Sequence, residues 1–151
     1  MAQWLPFTNE KLYQSRLLAE QAREAMPDVL ARALETAALQ HLWAAYRSYL
    51  NELGATVSLA TRVETLTQLM QEARLVTGEM RELALLADDE FSWLGRFLSA
   101  TEQLGWPPSA SAVMNPGLIA TATQSDLDEV MRWHQALNEL IDRQRDNRHE
   151  S

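Results

Sequence analysis

The chain is 151 residues long, enough for one domain with a single core, and its 46% hydrophobic and 23% charged residues are globular values. It contains no cysteine, which excludes disulfides, thiolate metal sites and a cysteine nucleophile together. A formal charge of −8 argues against a broad phosphate-binding face, and with Lys11 as the only lysine, Schiff-base and P-loop chemistry are disfavoured.

Apolar residues recur at helical spacing nearly throughout, with no clean two-residue alternation. The first predicted helix spans 7–25, with Thr8 placed as its N-cap and Phe7 and Leu12 spaced as a hydrophobic staple. Its inner face reads Leu12, Ser15, Leu18, Ala19 and Ala22. A long second helix is predicted over 27–53, opened by Pro27 and Asp28 and ended by Gly54. Thr61 and Glu64 have capping-box spacing at the start of a third, 62–76, which turns Val63, Leu66, Met70 and Ala73 inward.

Gly78 interrupts the pattern, and a fourth helix follows over 79–87 through Met80, Leu83 and Leu86. Asp88 or Asp89 can cap a fifth, 89–104, whose apolar face is Phe91, Leu94, Phe97, Leu98 and Leu104, with Gly105 as its stop. The stretch 105–124 is uncharged but carries Pro107, Pro108 and Pro116, so it reads as a long Pro/Ser-rich loop and not a membrane span. Ser125, Asp126 and Asp128 open a final helix, 125–145, acidic at its start and arginine-rich at its end, as the helix dipole favours. Residues 147–151 read as a frayed tail. The fold class expected is all-α: one domain, 1–151, forming a single antiparallel bundle of five to six helices. The opening MAQWLPFTNEK shows no basic start followed by an apolar run, so the expectation is a cytoplasmic protein without a secretory signal.

His41 and His134 fall in apolar stripes. On the second helix, Leu30, Leu34, Ala37, His41, Ala45 and Tyr49 share the inner flank, opposite Arg32, Thr36, Gln40, Arg47 and Asn51. On the last, the stripe is Leu127, Val130, Met131, His134, Leu137 and Ile141. Two histidines with Glu35 or Glu52 would make a two-His, one-carboxylate metal or acid/base site. The Glu-x-x-His repeat of di-metal bundles is absent, however, and the simpler reading makes both histidines hydrogen-bonded polar fixtures of the core. No metal or cofactor is expected.

Trp43 lies on the polar flank between Gln40 and Arg47, where a tryptophan can anchor a partner; otherwise the 105–124 loop covers it. Trp4, Trp93, Trp106 and Trp133 are expected to seal ends and seams. Asp88, Asp89 and Glu90 read as a helix start. Arg143 and His149 match the loose Arg-to-His spacing of HEPN ribonucleases, which they resemble in that motif. The resemblance implies a histidine acid/base with an arginine on the scissile phosphate. His149 is the third residue from the end, and an arginine-rich helix end generates such spacing easily.

Thr8-Asn9-Glu10-Lys11-Leu12-Tyr13 and Glu35 followed by Ala38-Leu39-Gln40-His41-Leu42-Trp43 resemble an uncharacterised family from Pseudomonas and related proteobacteria. Trp93-Leu94, Pro107-Pro108 and Trp133 follow in the same order. The family carries only a domain-of-unknown-function label, so the resemblance implies a helical cytoplasmic protein and no activity. Its pattern carries a second histidine where this chain has Asn51, which argues against a metal site on that helix. The leading expectation is a non-enzymatic protein-interaction module whose partner is another protein or a second copy of the chain. A HEPN-like ribonuclease or metal-binding bundle is the alternative. Neither nucleic acid nor membrane is expected as a partner for the leading reading.

Overall fold

The computed structural model describes the backbone of residues 3–107 and 116–150, and the side chains of 3–107 and 126–149. Among the described residues it is an all-α bundle of six helices with no strand. They are α1 (Trp4–Glu24), α2 (Asp28–Thr56), α3 (Leu66–Glu72), α4 (Gly78–Asp88), α5 (Trp93–Glu102) and α6 (Pro116–Glu150). Thr8 meets Ser48 and Ser15 meets Ala38, so α1 and α2 form an antiparallel hairpin. Small residues at its seam, Ser15, Ala19, Ala38 and Ala45, let the two backbones approach. His134 meets Leu12 and Arg145 meets Asn9, so α6 runs antiparallel to α1 and alongside α2. The short helices α3, α4 and α5 pack in succession, and α5 closes the core against α2 and α6. There the Phe97 ring stands edge-on to Tyr46 and tilted against Trp133, each 6.0 Å away between centroids.

Several boundaries differ from the expected ones. α1 begins at Trp4, because Pro6 sits in the first turn, where a missing N–H costs nothing. Thr8 is therefore not a cap but a buried helical residue. It donates to the Ser48 hydroxyl at 2.7 Å, and Ser48 donates to the Trp4 carbonyl at 3.0 Å. Phe7 is exposed, so no staple forms; it lies under the Lys11 ammonium instead.

Gly54 does not end α2, which continues to Thr56. Ser58 takes the left-handed conformation, φ +60°, and Leu59 N–H returns to the Gly54 carbonyl at 2.9 Å while Ser58 N–H returns to Ala55 at 3.1 Å. This is a Schellman ending. Glycine at 54 makes room for it, since a Cβ there would lie 3.3 Å from the Leu59 side chain.

The cap of α3 is built on Thr65 and Gln68, not on a Thr61–Glu64 box. Thr65 accepts from Gln68 N–H at 3.0 Å, and the Gln68 side chain accepts from Glu64 N–H at 2.9 Å. Helix α5 is capped by Ser92, not Asp88 or Asp89, leaving Phe91 73% exposed outside it.

The final helix begins at Pro116 rather than 125: proline at the first helical position has its φ already set and needs no N–H acceptor. Residues 116–124 of the expected 105–124 loop are thus helical, and residues 108–115 lie outside those described. Asp126 and Asp128 are thus interior to the helix, not in its dipole-favoured first turn. At the other end the helix runs through Glu150, so residues 147–150 are helical and not frayed; Ser151 is outside the described residues.

Both histidine stripes are rotated from expectation. The seam of α2 is Ala38, Leu42, Ala45 and Tyr49, and that of α6 is Val130, Trp133, Leu137, Ile141 and Gln144. His41 and His134 stand half-buried at the edges. Leu30 is exposed, while Asn51, expected on the polar flank, is buried.

Candidate functional site

Trp43, Tyr46 and Arg47 occupy positions i, i+3 and i+4 of α2, and so share one helix face. The Arg47 guanidinium lies 4.2 Å from the Trp43 ring centroid, a cation–π stack worth about 1 kcal/mol. Trp43 is half-buried and packs against the core. It forms a wall of a cleft of about 750 Å³ together with Tyr46, Leu66, Met70, Ala87 and Leu98. Exposed Glu64, Asp88 and Glu102 stand on the rim. Among the described residues, the 105–124 stretch supplies none of this lining. The Thr65 cap and the Schellman turn before it position α3, whose Leu66, Thr67, Met70 and Gln71 line the cleft.

Next to it, on the Arg47 side, a second pocket of about 320 Å³ opens between α1, α2 and the 57–65 connection. Trp4 and Phe7 line it from α1, Ala44, Arg47, Ser48 and Asn51 from α2, and Arg62, Val63 and Glu64 from the connection. Asn51 fixes that connection: its amide donates to the Val63 carbonyl at 2.9 Å, and its Oδ1 accepts from Val63 N–H at 2.8 Å. The side chain thereby imitates a strand neighbour.

Buried polar groups in folded proteins nearly always find partners. Among the described residues, two buried side-chain atoms have none: the Tyr46 hydroxyl and Arg47 Nε. They belong to consecutive residues, and each residue lines one of the adjoining pockets. Tyr46 is only 2% exposed, and burial pushes its phenol far up, so it stays a neutral donor. An orphaned buried donor costs about 1–3 kcal/mol. Arg47 has no counter-charge either. The ion pairs within 4.0 Å among the described residues use Arg16, Arg23, Arg143 and Arg145, and neither Arg47 nor Arg62 takes part.

The other candidates are placed apart. His41 Nδ1–H donates to the Ala37 carbonyl of its own helix at 2.7 Å. His134 Nε2–H donates across to the Leu12 carbonyl at 2.9 Å, and desolvation holds the ring below the usual histidine range against that bond's opposite pull. Neither carboxylate considered for them is beside them. Glu35 lines a separate cleft of about 490 Å³ with Asp126, Glu129 and Trp133, and burial, helped by Asp126, raises its carboxyl to about 7. Glu52 is buried and held by Arg145 at 2.7 and 3.1 Å. Among the described residues, no three His, Cys, Asp or Glu side chains gather as a metal-binding group.

Arg143 is bidentate on Glu82, at 2.6 and 3.2 Å, while His149 is exposed six helical positions later and so faces away from it. Beside that pair sits fully buried Gln144. It accepts from Tyr49 and donates to Glu82 at 2.8 Å and to the Glu79 carbonyl at 3.3 Å, tying α2, α4 and α6 together. Of the expected sealing tryptophans, Trp133 is buried, Trp4 and Trp93 are half-buried, and Trp106 is 74% exposed.

Sequence reasoning singled out Trp43 and Arg47 but passed over Tyr46 and Arg62. Tyr46 lies off the inner stripe expected for the second helix, and nothing in residue order tells that a hydroxyl will lack an acceptor. Arg62 needed the Asn51–Val63 clamp to be brought near Arg47. No helix among the described residues is long and apolar enough to cross a membrane.

The model of a family of unknown function (DUF6586) matches residues 1–151. No curated protein and no solved structure matches the chain.

Proposed function

The chain belongs to a family of unknown function, and from that premise we propose that it acts by binding another protein, without catalysis, at the α2 face formed by Trp43, Tyr46 and Arg47. The observation that carries this reading is the pairing of two adjacent orphaned donors with two adjoining clefts. A fold keeps such donors at a cost, and a docked chain fills the clefts beside them, setting an acceptor against the outer edge of the Arg47 guanidinium and an apolar side chain over Trp43. A different protein fits better than a second copy. An isologous dimer sets the same patch against itself, and two concave clefts face to face would enclose a void. The reading places the protein in the cytoplasm, consistent with a cysteine-free chain.

A photo-crosslinking residue at exposed Gln71, on the cleft wall, tests this in the cells of origin. One discrete adduct with a different protein is expected, its crosslinked segment containing an apolar anchor. Thr67→Arg, at another exposed wall position, should abolish it without changing the fold. An adduct with a second copy, an adduct that survives Thr67→Arg, or no adduct would each overturn the proposal.

A further inference from the structure

We propose that the pocket beside Arg47 is a carboxylate site, taking a carboxylate carried on an aromatic or branched apolar body, as at the C-terminal residue of a peptide. This rests on the binding reading above and names the chemistry that the partner presents there.

The argument starts from charge. The chain has 21 acidic residues against 13 basic ones, so carboxylates are plentiful. Arg145, similarly enclosed on the same helix bundle, takes Glu52 with both ends of its fork. Arg47 takes none, although Glu64 shares its pocket. A half-buried guanidinium without counter-charge loses hydration and gains nothing in exchange. The group is also held ready. The Trp43 ring beneath it fixes its plane, and the Asn51–Val63 clamp fixes the backbone that carries Arg62.

The pocket's buried polar side chains are engaged: Ser48 donates to the Trp4 carbonyl, and Asn51 uses both ends of its amide on Val63. The charge is thus the part of the site left to a ligand. Guanidinium forks match carboxylates bidentately, and with Nε enclosed by the fold, a carboxylate in the pocket takes the two Nη–H edges. Trp4, Phe7 and Val63 wall the space in front, which suits an apolar body attached to the carboxylate. A phosphate dianion fits less well, with apolar walls and the Glu64 carboxylate near at hand.

N-acetylphenylalanine is the probe, and N-acetylphenylalaninamide its uncharged twin. Nitrogen–proton NMR spectra of the whole chain report Arg47 Nε–H and the Trp4 and Trp43 indoles. The acid should shift Arg47 Nε–H saturably with a dissociation constant on the order of 1 mM, as for a good fragment of its size. The amide should bind at least tenfold more weakly, as should inorganic phosphate. Arg47→Met should abolish the acid's effect while leaving the thermal midpoint equal to the parent's or higher, because it removes an orphaned donor and keeps the stack of chain on ring. Equal shifts from acid and amide, phosphate binding as tight as the acid's, or no response to the acid would overturn the proposal. So would a marked fall in the thermal midpoint of Arg47→Met, which would make the arginine structural. A crosslinked partner without carboxylate binding leaves the docking reading standing and this one fallen; carboxylate binding without a partner does the reverse.

Discussion

His134 carries a hydrogen bond between helices, from α6 to the Leu12 carbonyl of α1, whereas the bond of His41 stays within α2. That difference sets what each side chain is worth. Losing the bridging bond and its half-buried packing should cost about 1–2 kcal/mol in His134→Ala. His41→Ala loses a local bond but gains alanine's better helix propensity, so a few tenths of a kcal/mol is expected. Urea midpoints at pH 7.5 compare the two directly, and equal losses would contradict the ranking. The spacing of apolar residues led to both histidines but misplaced them by part of a turn. In α6 the reason is Gln144. Its polar side chain does not count towards an apolar stripe, yet it is fully buried because three groups on α2 and α4 satisfy it. Likewise Asn51 reads as polar flank until Val63 is brought back beside it. Partners distant in sequence decide these positions, and residue order does not disclose them.

Helices were legible from their periodicity, and their ends much less so. Caps sit at Thr65, Thr77 and Ser92, each accepting from the N–H three residues on. A rival Thr, Asp or Glu lay a few residues upstream for α3 and α5, and local chemistry alone does not choose between them. Tertiary contact chooses. Ser92 wins because its hydroxyl also donates back to the Leu86 carbonyl, folding α4 onto α5. That fold has a strict requirement at Gly95, where a Cβ would stand 2.2 Å from the Asp89 carbonyl oxygen. Backbone, unlike the end of a flexible side chain, cannot give way cheaply. Gly95→Ala should therefore destabilise the protein by about 1–3 kcal/mol, despite alanine's higher helix propensity. Chemical denaturation reads this out, and a variant as stable as the parent would mean the α4–α5 turn relaxes freely. The two-donor site was legible only in part: Trp43 and Arg47 stood out by type, while the missing acceptors are a property of the folded surroundings.

Across the whole molecule, acidity concentrates a pH response at the junction of α2 and α6. Glu35 is raised to about 7 by burial and by Asp126, with Arg32 opposing; Glu129, Glu90 and Arg96 complete its cleft. An ionised Glu35 is thus more costly in the fold than in the unfolded chain. The cost is fully present above about pH 7 and fades as pH falls towards 4.5, so this group makes the protein more stable on acidification. His134 acts oppositely. Held below 6.5, it resists protonation in the fold and subtracts stability as pH drops below that value. Glu35→Gln should remove the first effect alone. It should be more stable than the parent at pH 8 by about 1 kcal/mol, allowing for solvent screening of a half-exposed group, with the difference vanishing near pH 4.5. Equal stability at pH 8 would refute the assignment. The knot around Gln144 bears on the molecule as a whole in another way. At one end, Asn9, Tyr49, Glu52, Glu82, Arg143 and Arg145 bind α1, α2, α4 and α6 to each other through hydrogen bonds, most of them charge-assisted. At the other, the tip of the α1–α2 hairpin exposes Met26, Val29 and Leu30, and among the described residues the tie nearest it is the exposed Arg23–Asp128 pair at 3.6 Å. The bundle is therefore fastened like a clasp at the knot, and the hairpin tip is expected to open first, which amide hydrogen exchange would show as faster exchange at Met26–Leu30 than around Gln144.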